Sequence, residues 1–167
     1  MTVPEPETLR LAGDGSIPNS PLPVLVYRGL DLARSATEAE RAFAAHNWRG
    51  AWRNGIFPFH HFHSTAHEVL AVVGGRASVT LGGPEGETVP VTRGDVLVLP
   101  AGTGHCNEGS SADLLVVGAY PDGMSWDLRR GDPAEYDEVL ANIAAVPLPA
   151  TDPVGGDDGA LPRLWSR

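Results

Sequence analysis

Between Trp52 and Tyr120 the chain alternates short apolar runs with glycine-rich breaks. The runs are Ile56–His63, Glu68–Val73, Ala77–Leu81, Thr88–Val91, Asp95–Leu99 and Leu114–Tyr120. The breaks are Gly74-Gly75, the Gly82–Gly86 segment, Arg93-Gly94 and Pro100-Ala101-Gly102. Apolar runs of about four to eight residues, bounded by glycine and proline, read as strands. Several of them at short, regular spacing predict an all-β sandwich or barrel. Leu22–Tyr27 predicts one more strand ahead of this block.

Helix signals lie only outside it. Ser35 followed by Glu38 reads as a capping box, with Ala39, Ala42, Phe43 and His46 as the inner face. Asp132-Pro133-Ala134-Glu135 combines a cap, a proline at the first helical position and a capping-box glutamate. Tyr136, Val139, Leu140 and Ile143 follow at helical spacing. Residues 1–22 and the tail from Val146 are rich in proline, glycine and acidic residues, and are expected to trace the surface. The expected fold is all-β with minor helices. An extension (residues 1–50) packs on a barrel core (51–122), followed by a helix and tail (123–167).

Composition narrows the function. A chain of 167 residues has the length of one domain. With 21 acidic residues against 12 basic, the formal charge is −9, which repels phosphate backbones and anionic lipid. Nucleic acid and membrane surfaces are therefore not expected partners. No export signal and no apolar run of about 18 residues is visible, so a cytoplasmic location is expected. The single cysteine, Cys106, allows no internal disulfide.

The chemistry concentrates in the histidines. His60, His61, His63 and His67 fall within eight residues. In an extended segment residues two apart share a face, so His61 and His63 point one way with Phe57 and Phe59, and His60 the other. A following strand carries Glu68, Leu70 and Val72 on one face. With His105, these supply three nitrogens and a carboxylate oxygen, a borderline donor set for a transition metal. Such a set leaves two positions open on a six-coordinate ion.

These residues resemble the cupin family. Its first motif, G-x5-H-x-H-x4-E-x6-G, is matched by Gly55, His61, His63, Glu68 and Gly75. The second, G-x5-P-x-G-x2-H-x3-N, is matched by Gly94, Pro100, Gly102 and His105, but position 109 is glycine. Asn107 has the same strand parity as that missing asparagine. The segments His63–Leu70 and Val117–Pro121 further resemble small bacterial cupins called YjlB-like, over about residues 20–166. That finer resemblance implies no reaction.

The cupin resemblance implies a double-stranded β-helix with one divalent metal per chain (Fe, Mn, Ni, Co or Zn). Its ligands would be His61, His63, Glu68 and His105; parity and spacing favour Glu68 over His67. It implies an enzyme acting on a small molecule by oxygenation, isomerisation or decarboxylation. The alternative is a non-catalytic cupin that binds or senses a small ligand or metal. Phe57, Phe59, Leu70, Val72 and Val98 would line a pocket or simply fill the barrel. Asn107 would face the metal or satisfy a turn. His60 and His67 are expected to face outward, in a subunit contact or supporting the ligands, and Cys106 to point away from the metal as an inert thiol. Trp48, Trp52 and Trp126 are expected to pack. An anionic substrate would need a counter-charge such as Arg53 or the metal itself. A homodimer is expected, with Leu22–Tyr27 adding to a partner's sheet.

Overall fold

The structure, a computed structural model, describes residues 3–167. Among the described residues nine strands form two antiparallel sheets. The larger sheet takes β1 (Glu7–Leu9), β2 (Val24–Tyr27), β3 (Trp48–Asn54), β4 (Glu68–Gly74), β7 (Val96–Leu99) and β9 (Leu115–Pro121). Their spatial order is β1-β2-β7-β4-β9-β3. The smaller sheet takes β5 (Arg76–Leu81), β6 (Glu87–Thr92) and β8 (His105–Ser110), in the order β6-β5-β8. This is the double-stranded β-helix that the strand pattern and the motifs led one to expect.

The larger sheet is covered on both faces. Leu70, Val72 and Leu97 point toward the smaller sheet and pack with its Val79 and Leu81. Val69, Ala71 and Val98 point the other way, against Phe43, Leu161 and Trp165. A strand buried on both faces needs apolar residues at every position. That is why β2, β4 and β7 read as unbroken apolar runs rather than as alternating ones.

The outer cover comes from the helices and the tail. α1 (Ala36–Ala45) starts at Ser35, whose hydroxyl accepts the Glu38 N–H at 3.2 Å. It buries Ala36, Ala39 and Phe43, while Ala42 and His46 are only half-buried. After a 3-10 turn, α2 (Tyr136–Ala145) buries Val139 and Ile143 and leaves Leu140 exposed.

Three expectations change. Leu22–Tyr27 does form a strand, β2, but both its edges are occupied within the chain, by β1 and β7. It therefore has no free edge for a partner. The segment Ile56–His63 is not a strand: only His61 and Phe62 form isolated bridges. Pro58 lacks the N–H a ladder needs, and the edge of β9 is already taken by β3. The tail does not simply trace the surface. Asp152 is fully buried and accepts the Tyr27 hydroxyl at 2.5 Å and the Leu161 N–H at 3.1 Å. Trp165, also buried, donates to the Pro23 carbonyl at 2.8 Å and leads α3 (Leu161–Leu164) into the outer core.

Turn glycines set the strand ends. Gly75, Gly94 and Gly102 have φ of +70°, +106° and +95°. At Gly102 a Cβ would also stand 2.4 Å from the Asn19 carbonyl oxygen. No other residue meets both demands. This bend turns the chain from β7 into β8 and so delivers His105.

Candidate metal centre

His61 and His105 face each other across a short antiparallel bridge. His105 N donates to the His61 carbonyl at 2.9 Å and His61 N to the His105 carbonyl at 3.2 Å. Their rings lie 4.0 Å apart. His63 follows two residues on, held by the Gly102 N–H on its carbonyl at 2.8 Å. Glu68 opens β4 opposite Leu99 and points to the same place. Its Oε1 is 3.3 Å from His63 Nε2 and 3.6 Å from His105 Nε2. All four residues are buried.

Each imidazole is fixed from behind. Nδ1 of His61 donates to the Phe59 carbonyl (2.9 Å), Nδ1 of His105 to the Thr103 carbonyl (3.0 Å), and Nδ1 of His63 to the Asp127 carbonyl. With Nδ1 bonded to a carbonyl, each ring turns Nε2 to the centre, where His63 and His105 bond to Glu68 and where the neutral rings would offer their lone pairs to a cation. One ligand atom from each ring lies within 4.8 Å of the others. Asp127 also ties down the next turn, accepting the Ser64 N–H at 2.6 Å and the Ser64 hydroxyl. Arg129 Nε donates to the same carboxylate at 2.8 Å.

The electrostatics suit a cation. Burial alone would raise the Glu68 carboxyl, but bonds from His105 and His63 outweigh it and hold it well below the usual range. Burial, then the neighbouring His105, pushes His61 down to about 3, so this ring stays neutral. Burial opposes charge on His63 too, yet Glu68 and Asp127 overcome it and raise this ring. A buried carboxylate that favours positive charge on a neighbouring imidazole favours a cation beside it as well.

A cavity of about 480 Å³ opens onto the four residues. Trp52, Ile56, Phe57, Leu70, Tyr120 and Trp126 supply much of its wall. Trp52 Nε1 donates to the Tyr120 hydroxyl at 2.8 Å. Burial, then the Glu68 charge, pushes the Tyr120 phenol up, so it stays a proton donor. Trp126 and Phe57 are half-exposed at 50% and 48%, each with its ring 5.3 Å from a histidine ring (His63 and His61 respectively).

Of the predicted pocket residues, Phe57 and Leu70 line the cavity. Phe59 stacks on Phe57 at 4.9 Å and lies outside the wall. Val72 is buried between the sheets and Val98 faces the outer core. Asn107 serves a turn: its amide donates to Ser110 Oγ at 3.1 Å and accepts the Gly109 N–H at 2.9 Å. Arg53 lines the cavity, but its guanidinium is paired with Glu40 at 2.7 Å. Cys106 points away from the centre as parity required; burial and then Glu108 push its thiol up to about 11. His60 is partly buried and 3.7 Å from Glu108. His67 is buried rather than outward-facing: its Nδ1 accepts the Ala101 N–H at 2.9 Å and its Nε2 donates to the Pro147 carbonyl at 3.0 Å.

Of the tryptophans expected to pack, Trp48 lies in the outer core, while Trp52 and Trp126 line the cavity. Trp48 and Trp52 are four apart and should share a face of β3. A bulge between Arg49 and Trp52, with Gly50 at φ +69°, inserts an extra residue. Trp48 thus enters the outer core and Trp52 the cavity. Trp126 follows β9 on a loop whose path no local pattern sets.

Comparison with known proteins agrees with this architecture. Residues 53–118 match the cupin domain family. The chain is 39% identical to the uncharacterized protein YjlB of Bacillus subtilis (strain 168) over 162 residues, 96% of this chain and 97% of that one. An acireductone dioxygenase from Bacillus anthracis, with a cadmium ion in its active center, is 16% identical. That likeness covers 55% of this chain and 62% of that one, with a TM-score of 0.40. A TDP-quinovose 3,4-ketoisomerase from Campylobacter jejuni is 15% identical over 83% and 95% of the two chains, also at 0.40. With nearly the whole length of both chains aligned to YjlB and the cupin domain matched across the histidine cluster, the chain belongs to the cupin superfamily.

Proposed function

We propose that this cupin is a metal-dependent enzyme acting on a small molecule, with a divalent transition metal held by His61, His63, Glu68 and His105. The observation that carries this is the shared orientation of the three imidazoles. Each spends Nδ1 on a backbone carbonyl, leaving Nε2 for the space beside a buried carboxylate. Three nitrogens and one oxygen fit Fe, Mn, Ni, Co or Zn. When bound, such an ion supplies Lewis-acid polarisation of an oxygen-bearing ligand.

The chain's own residues do the rest. The aromatic wall takes an apolar or aromatic body and keeps water from it. Tyr120, polarised by the Trp52 N–H, can donate a proton or hydrogen bond to an oxygen bound beside Glu68. Oxygenation, isomerisation and decarboxylation all fit that equipment. A non-catalytic binder is the second reading, favoured by one feature: among the described residues Glu68 is the one carboxylate lining the cavity, so no separate acidic base faces a substrate.

Metal analysis tests the centre. Purified protein should carry close to one ion per chain at this site, and His61→Ala with His63→Ala should remove it. A wild type that stays folded and takes up no ion at this site after reconstitution refutes the assignment. Oxygen uptake and substrate loss with the Fe(II) form, assayed against a metabolite mixture, separate enzyme from binder.

A further inference from the structure

The bridge between His61 and His105 also orders their neighbours. Successive side chains on paired extended segments point to opposite faces. His61 and His105 turn into the barrel, so His60 and Cys106 turn out, and Glu108, two residues along β8, shares the face of Cys106. One ligand atom from each of His60, Cys106 and Glu108 lies within 4.8 Å of the others. His60 Nε2 stands 3.7 Å from Glu108 Oε1. Cys106 is buried, the His60 side chain is 25% exposed and that of Glu108 45%.

A second observation comes from the hydrogen bonds. Among the described residues, His60 Nδ1 is the buried side-chain nitrogen or oxygen with no partner. Buried polar atoms are nearly always paired. Here the ring is not tied down from behind through Nδ1, and its other nitrogen, Nε2, is the one turned toward Glu108.

We propose that His60, Cys106 and Glu108 form a second metal site on the outer face of the barrel, with water as the fourth ligand. A thiolate, an imidazole and a carboxylate select zinc-like ions over magnesium or calcium. Bonds of about 2.0–2.3 Å put tetrahedral ligand atoms about 3.3–3.8 Å apart. The His60–Glu108 spacing already matches. The other pairs also lie within 4.8 Å. Binding releases the thiol proton to solvent, and the two anionic donors balance the charge of a divalent ion. The ion would clasp the loop carrying His61 and His63 to β8, which carries His105. The two sites sit back to back on one pair of backbone segments.

Cobalt(II) titration of the metal-free protein tests this. Cys106 is the sole cysteine, so a thiolate-to-cobalt charge-transfer band reports the outer site alone. Two ions per chain are expected, with that band present. Cys106→Ser should lose the band and one ion. His61→Ala with His63→Ala should lose one ion and keep the band, so failure of the inner centre leaves this outcome intact. Should Cys106→Ser not fold, His60→Ala and Glu108→Ala should each weaken the band's cobalt affinity at least tenfold. Absence of the band in the wild type and in the double histidine variant, at excess cobalt, overturns the proposal.

Discussion

His67 should make the metal-free protein sensitive to mild acid. Its Nδ1 accepts the Ala101 N–H and its Nε2 donates to the Pro147 carbonyl, an arrangement open only to the neutral ring. Protonation would set one N–H against another inside the core. Burial is the main cause that holds the ring down at about 4, against about 6.5 in an unfolded chain. The sign follows from proton counts. Between those values the unfolded state binds the proton and the folded state does not, so stability is complete above about pH 6.5 and falls as pH drops toward 4. At pH 5 the loss amounts to about 2 kcal/mol, and below pH 4 to about 3.4 kcal/mol. Urea unfolding in the presence of a chelator, at pH 8 and pH 5, reads it out. His61 and other groups titrate as well, so the comparison is with His67→Phe. The variant is expected to cost about 1–3 kcal/mol at pH 8 for each buried partner left unpaired. Its loss between pH 8 and 5 should be smaller than that of the wild type by about 2 kcal/mol. Parallel stability curves for the two proteins would refute the reasoning.

Two further substitutions probe how the site is supported. Asp127→Ala removes the carboxylate that holds Ser64 and Arg129 behind His63. Metal affinity, measured by competition with a chelator, should fall about 10- to 100-fold; unchanged affinity would mean that His63 positions itself. Gly118→Ala places a Cβ 2.2 Å from the Trp52 ring. The indole must shift and give up Tyr120, costing about 1–3 kcal/mol in thermal unfolding, while metal affinity stays at the wild-type value because Trp52 is no ligand. Wild-type stability would show that the ring has another place to go.

Much of this molecule is legible in its sequence because the relevant rules are local. Strand runs, their turn glycines and the Ser35 cap depend on neighbours a few residues away, and all but the Ile56–His63 run appear where the pattern puts them. The four proposed ligands also belong to this class. Histidines two apart point one way in an extended segment, and Gly102 is needed wherever the chain bends sharply into His105. What lay outside local rules depends on distant chain. His67 looks like an outward residue until the tail brings Pro147 and Trp165 over it. The tail looks loose until Asp152 meets Tyr27, 125 positions away. Trp52 reaches the cavity through a bulge, which shifts parity without changing composition. The sequence by itself determined the all-β barrel and singled out the four proposed ligands, since strand runs and motif spacings are local. Only the tertiary structure decided which aromatics face the cavity and which buried histidine stays neutral, because burial and hydrogen-bond partners are set by segments that meet only when the chain has closed.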